Sequence, residues 1–123
     1  MKKLLLILLT ATFSFAQSKI ESHQIINKEK IEGIINRIDS FPTKFIVPRT
    51  VDVWLPSNYS KDKKYSVLYM HDGQMLFDAS STWNKQEWMV DEVVSKLNSE
   101  NKIQDIIVVA IWNIPNLRHM DLY

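Results

Sequence analysis

The chain has 123 residues, 46% hydrophobic and 24% charged, an ordinary globular composition that excludes a disordered polypeptide. The formal net charge is +1, so the chain lacks the basic surplus that phosphate-backbone binding favours, and no nucleic-acid partner is expected. With no cysteine, disulfides and cysteine-linked lipid are excluded, and stability must come from the core; the length allows at most one domain.

Met1 to Ala16 reads as a secretory signal peptide. Lys2 and Lys3 form the positive start, Leu4 to Leu9 begins the apolar core, and Ser14-Phe15-Ala16 places small residues at the positions that define cleavage. The alternative is a membrane anchor, but the 13 apolar-rich residues from Leu4 to Ala16 are too few to cross ~30 Å of hydrocarbon. The expectation is cleavage near Ala16, export to the periplasm or medium, and no stable membrane span afterwards. Removing Lys2 and Lys3 from the 15 basic residues leaves 13 against 14 acidic ones, one net negative charge.

Residues 17–30 are polar and lysine-rich and read as a linker. Ile31 to Ile38 carries apolar residues at helical spacing, but Gly33 and the branched side chains favour a strand. Pro42 and Pro48 then break the chain. Val51, Val53 and Leu55 alternate with Asp52 and Trp54, predicting a half-buried strand closed by Pro56. Ser57 to Lys64 reads as a charged turn joining two antiparallel neighbours. Val67 to Met70 predicts a fully buried strand. Asn84 and Glu87 have capping-box-like spacing ahead of a helix with a Val90, Val93, Val94 and Leu97 stripe, ending over Asn98 to Asn101. Ile106 to Ile111 predicts a second fully buried strand, so the chain from Tyr65 to Ile111 forms a strand–helix–strand crossover.

The most informative stretch is Tyr65 to Asp78, YSVLYMHDGQMLFD, in which an apolar run breaks abruptly at His71-Asp72-Gly73-Gln74. Gly73 offers a position where the chain can turn sharply without a Cβ clash. A strand ending in such a turn leaves backbone N–H groups facing a crevice at its carboxyl end, where ligands bind in open α/β sheets.

This segment resembles the strand and oxyanion loop of the putative esterase family of α/β-hydrolases, which includes feruloyl, acetylxylan and siderophore esterases. RTVDVWLPSNY resembles the family's early strand, TWNKQEWMVDEVVSKL its first helix region and IIVVAIWN the following strand, all in the family's order. The resemblance covers Ile31 to Tyr123 in outline and is strongest from Arg49 to Asn113. It implies the N-terminal portion of an α/β-hydrolase fold over residues 31–123, with antiparallel strands leading into the crossover and an incomplete sheet. Such hydrolases carry the serine on a G-x-S-x-G turn. The only glycines here are Gly33 and Gly73, which cannot frame one. The nucleophile, the acid and the catalytic histidine are therefore expected outside these residues, and the 123 residues alone are expected to be inactive.

The resemblance further implies that the N–H of Gln74, or else of Met75, donates to the oxyanion of an acyl-transfer intermediate. His71 precedes the nucleophile in chain order and so is expected to fix the loop through an imidazole hydrogen bond rather than to act as base. Asp72 is expected to stabilise the turn by accepting from backbone N–H groups, with Gly73 between. A metal site from His71, Asp72 and Asp78 is weak, because no further nitrogen or sulfur ligand is evident, and neither metal nor cofactor is expected. Trp83, Trp88 and Trp112 either stack on a sugar or aromatic acyl group or are simply buried, with burial favoured for Trp88. Asn113 and Arg118 follow the last strand at its carboxyl end, where they would line the substrate; Arg118 either clamps an anion or is solvated.

The expected function is an exported serine carboxylic-ester hydrolase acting on small-molecule or carbohydrate esters. A non-catalytic carbohydrate- or partner-binding module on the same fold is the alternative, and an acyltransferase is not separable on these residues.

Overall fold

A computed structural model describes residues 19–25 and 31–121. Met1 to Ala16, the expected signal peptide, lies outside the described residues. The strands are β1 (His23–Ile25), β2 (Ile34–Ile38), β3 (Val51–Leu55), β4 (Ser66–His71) and β5 (Ile106–Ile111), with one substantial helix, α1 (Val90–Ser99). They form one mixed sheet in the order β1-β2-β3-β5-β4. β1, β2 and β3 run antiparallel in sequence order, β5 lies antiparallel to β3, and β4 lies parallel to β5. Parallel neighbours need a long crossover, and the chain from Asp72 to Asp105, including α1, provides it. The small mixed α/β architecture expected from the sequence is present. β1 falls within the segment read as a linker, where Ile25 pairs with Ile35.

Two expectations about the sheet are corrected by the position of β5. Ser57 to Lys64 does not join neighbours, because the crossover places β5 between β3 and β4. β5 is therefore flanked by a strand on each side, with Val108 and Ala110 fully buried, although its other residues are only partly so. β4 is an edge strand rather than a buried one. Val67, Leu68 and Tyr69 are exposed, Tyr69 by 67%, since nothing among the described residues pairs with the outer side of β4. An uninterrupted apolar run reads as a central strand because both its faces are apolar; it does not report which side of the strand is open.

β3 forms as expected and buries Val51, but from Asp52 onward the expected alternation is reversed. Trp54 is fully buried and Asp52 is 1% exposed, whereas Val53 and Leu55 are only partly covered. Trp54 offers the larger apolar area, and its indole N–H donates to the Glu32 carbonyl. Asp52 tolerates burial because Arg37, directly opposite on β2, donates to both of its oxygens at 2.7 and 2.8 Å. The core gathers Ile35, Trp54, Val108 and Ala110 of the sheet, Val94 of α1, and Leu76 and Phe77 of the crossover.

The helix starts later than the Asn84–Glu87 spacing predicts. Asn84 Oδ1 accepts from the Gln86 N–H in a local turn, and α1 begins only after Met89, whose φ of 54° redirects the chain. No side chain caps it. Instead, the Val90 N–H donates to the Leu76 carbonyl at 3.1 Å and the Trp88 N–H to the Met75 carbonyl at 2.9 Å. Of the expected stripe, Val94 is buried and Val90 and Leu97 are partly covered, but Val93 is half exposed and the other buried residue of the helix is Asp91. The helix gives way after Ser99 to Asn101 with φ 55°.

Asp91, in the first turn of α1, is fully buried. Its Oδ2 accepts from the Glu32 N–H at 2.8 Å, but its Oδ1 has no protein partner and neither has the buried Oε2 of Glu92. Desolvation, followed by the neighbouring Glu92 carboxyl, pushes Asp91 up from its ordinary 3.8 to about 7. The folded state then binds a proton that the unfolded chain has released, so this contribution to stability is complete below about pH 4 and is lost as the pH rises through about 7. The melting temperature should therefore fall between about pH 4 and pH 7 for this reason, and Asp91→Asn, which keeps an acceptor for Glu32, should flatten that fall. Thermal unfolding followed by circular dichroism across this range checks it; an unchanged slope in the variant would count against the assignment.

Candidate active site

The carboxyl ends of β4 and β5 open into one crevice of about 530 Å³, within the range of small-molecule sites. Its walls come from the turn after β4, the Trp83–Trp88 loop and the segment after β5. Of the residues singled out in the sequence, Asp72, Gln74, Met75, Trp83, Trp88, Trp112, Asn113 and Arg118 all line it.

The turn is built differently from the expectation. The left-handed residue is Asp72, at φ 55° and ψ 42°, not Gly73. Aspartate tolerates that region better than most side chains. Gly73 is required for proximity instead. A Cβ there would lie 2.7 Å from Trp112 Cδ1 and 2.8 and 2.9 Å from the carbonyl carbon and oxygen of Ala110. Gly73–Met75 forms a single 3₁₀ turn, after which Leu76 and Phe77 enter the core.

Hydrogen bonds hold this turn from several sides. The Asp72 carboxylate accepts from the Asn113 side-chain amide through Oδ1 and from Arg118 Nη2 through Oδ2 at 3.0 Å. It therefore fastens the turn to the segment after β5 rather than to its own backbone, correcting the sequence reading. Gln74 adds two ties: its Oε1 accepts from the Asn113 N–H at 3.3 Å, and its carbonyl accepts from Ser81 Oγ at 2.9 Å. The Met75 N–H is committed to the Asp72 carbonyl at 2.8 Å. The Gln74 N–H has no acceptor among the described residues. Of the two backbone donors considered, Gln74 is thus the one left available.

His71 ends β4 paired with Ile111, but its exposed imidazole makes no hydrogen bond among the described residues, so the fastening expected of it is done by Asp72. Arg118 is bound to Asp72, leaving its charge largely satisfied. Asp78 caps the 3₁₀ turn Ala79–Ser81 by accepting from the Ser80 N–H, which commits it to protein donors as Asp72 is. Trp83 is 86% exposed and Trp88, expected to be buried, is 51% exposed, because the loop carrying them lies over the crevice instead of in the core.

Trp112 is fixed by residues that the sequence reading did not single out. Its Nε1–H donates to Asp52 Oδ2 at 2.9 Å, and the Arg37 guanidinium lies 4.5 Å from its ring centroid. The Asp52 pair raises the Arg37 pKa further above its already high ordinary value, the hydrogen bond outweighing the cost of burial. A cross-strand signal for Arg37 and Asp52 was present in the sequence: once Ile38 is opposite Val51, opposite charges face each other at the next position.

Comparison with known families places residues 45–117 on the model of the putative esterase family, more than half of the chain, and spans everything from the approach to β3 to the segment after β5. The chain belongs to that family. Esterase resemblance thereby attaches to the segment that builds the crevice.

Substituting Gly73→Ala should destabilise the protein by roughly 1–3 kcal/mol, because its new Cβ meets the Ala110 backbone as well as the Trp112 ring. Arg118→Ala should change stability by less than about 1 kcal/mol, since that ion pair is half exposed and screened. Chemical denaturation of the two variants side by side tests the ranking; a reversed order would refute this account of the turn.

Proposed function

We propose that the chain is the front part of an exported serine carboxylic-ester hydrolase acting on small-molecule or carbohydrate esters, and that it supplies the oxyanion side of the site. The observation that carries this reading is the unengaged Gln74 N–H at the crevice, on a turn held by Asp72, Asn113 and Ser81 within the family-matched segment. In acyl transfer a serine Oγ attacks the ester carbonyl and a tetrahedral oxyanion forms. Collapse expels the alcohol and leaves an acyl-enzyme, which water then cleaves to acid and free serine. The Gln74 N–H donates to that oxyanion together with the N–H of the residue after the nucleophile. An alcohol in place of water gives acyl transfer by the same steps.

Gly33 and Gly73 cannot frame a nucleophile turn, so the serine belongs to sequence other than these 123 residues. The open apolar edge at Val67, Leu68 and Tyr69 supports a sheet that continues past β4. The basic, apolar and small-residue order of Met1 to Ala16 supports export. A second reading, a carbohydrate- or partner-binding module without catalysis, is favoured by the exposure of Trp83 and Trp88 on the crevice.

The native exported protein should have an intact mass well above that of residues 17–123 and should hydrolyse p-nitrophenyl acetate, whereas residues 17–123 alone should not. In the active protein, Gln74→Pro removes the N–H and should lower kcat roughly 10²–10³-fold, while Gln74→Ala keeps the N–H and most of the rate. Turnover that survives replacement of every serine would sink the hydrolase reading. A sharp melt of residues 17–123 together with polysaccharide binding would put the binding module in its place.

A further inference from the structure

The Arg37–Asp52 pair lies two strands from the turn, yet its contacts lead into it. Asp52 is 1% exposed and takes three donors: Arg37 Nε and Nη2 and the Trp112 indole N–H. A buried carboxylate so bound has little freedom to move, because losing one donor leaves it partly unpaired in a low dielectric. The Arg37 guanidinium also lies over the Trp112 ring at 4.5 Å, so the indole is held both by its edge and by its face. Trp112 in turn fits against Gly73, where not even a methyl group fits between the Gly73 Cα and Trp112 Cδ1. The backbone N–H of Trp112 bonds the Thr50 carbonyl at 3.0 Å, anchoring the same residue to the start of β3.

We propose that Arg37 and Asp52 are positioning residues for the crevice: by holding the Trp112 indole against Gly73 they set the direction of the Gln74 N–H. The assignment rests on Gln74 as the oxyanion donor for its catalytic meaning, but the contact chain from Arg37 through Asp52 and Trp112 to Gly73 exists independently of it. The shape of this chain excludes simple substitutions. Lysine at 37 keeps the charge but cannot bridge both Asp52 oxygens and lie flat over the ring. Phenylalanine at 112 keeps a ring beside Gly73 but loses the bond to Asp52.

Amide exchange and ¹H–¹⁵N spectra of the protein test this without requiring ester turnover. Trp112→Phe leaves the Arg37–Asp52 pair intact, so the fold is retained. It should lower the protection of the Met75 amide, which bonds Asp72, at least tenfold and move the Gln74 N–H resonance, while the amides of the β2–β3 ladder keep their protection. Asp52→Asn should act in the same direction, and Arg37→Lys should fall between the parent and Arg37→Met. Unchanged Met75 protection and an unmoved Gln74 resonance in Trp112→Phe would overturn the proposal and leave the pair as a stabiliser of the sheet alone. Failure of the hydrolysis test with these spectral changes present would remove the esterase reading and leave the positioning chain standing.

Discussion

The close approach of Gly73 to the backbone of Ala110 is the constraint on which the crevice depends. It brings the chain leaving β4 directly onto the end of β5, where only a residue without a Cβ fits. Three residues later Leu76 and Phe77 must be in the core, fully buried beside Trp54 and Val108. Between these fixed points the chain has room for one 3₁₀ turn, and Asp72 takes the left-handed conformation that starts it. The carbonyls of Met75 and Leu76 then accept the N–H groups of Trp88 and Val90, so α1 starts where this turn ends. Turn, helix start and strand end form one connected unit, and among the described residues the Gln74 N–H in it has no acceptor.

Three buried or half-buried carboxylates around this unit are satisfied in different ways. Asp52 holds three donors and Asp72 holds the Asn113 amide and Arg118, so both have partners in place. Asp91 holds one backbone donor and lies beside Glu92, so a proton rather than a cation is its cheapest partner. The first two carboxylates tie the sheet and the segment after β5 to the crevice. The third lies in the first turn of α1, where a change in charge bears on the helix start that is bonded to the turn.

The sequence was legible wherever a local pattern decides the outcome. The break after Met70, the strand at 106–111 and the placement of Asp72, Gln74, Asn113 and Arg118 at the crevice follow from an apolar run interrupted by polar turn residues and from chain order. What could not be read depends on neighbours distant in sequence. The insertion of β5 between β3 and β4 turns β4 into an edge, and no residue of β4 encodes that. The roles of Asp72 and Gly73 were exchanged, since the left-handed position and the close contact are adjacent and either fits the same tripeptide. Asp52 was missed because an alternating strand normally exposes its polar residues; only the register with Arg37 shows why this one is buried.

The distribution of these features suits a division of labour within one site. Oxyanion stabilisation requires donors that are in place before charge develops, since reorganising them during the reaction would consume the gain. The Gly73–Met75 turn meets that requirement through contacts made entirely within residues 31–121: the Ala110 backbone, the Asp72 clamp, the Ser81 hydroxyl and the fixed Trp112 ring. A nucleophile has no part in holding it. On this reading the electrostatic half of the site is preorganised by the early strands, and a serine arriving from later sequence meets a donor already set in direction. The same geometry without that serine would polarise a bound carbonyl and leave it intact, which is what separates binding from hydrolysis on this scaffold.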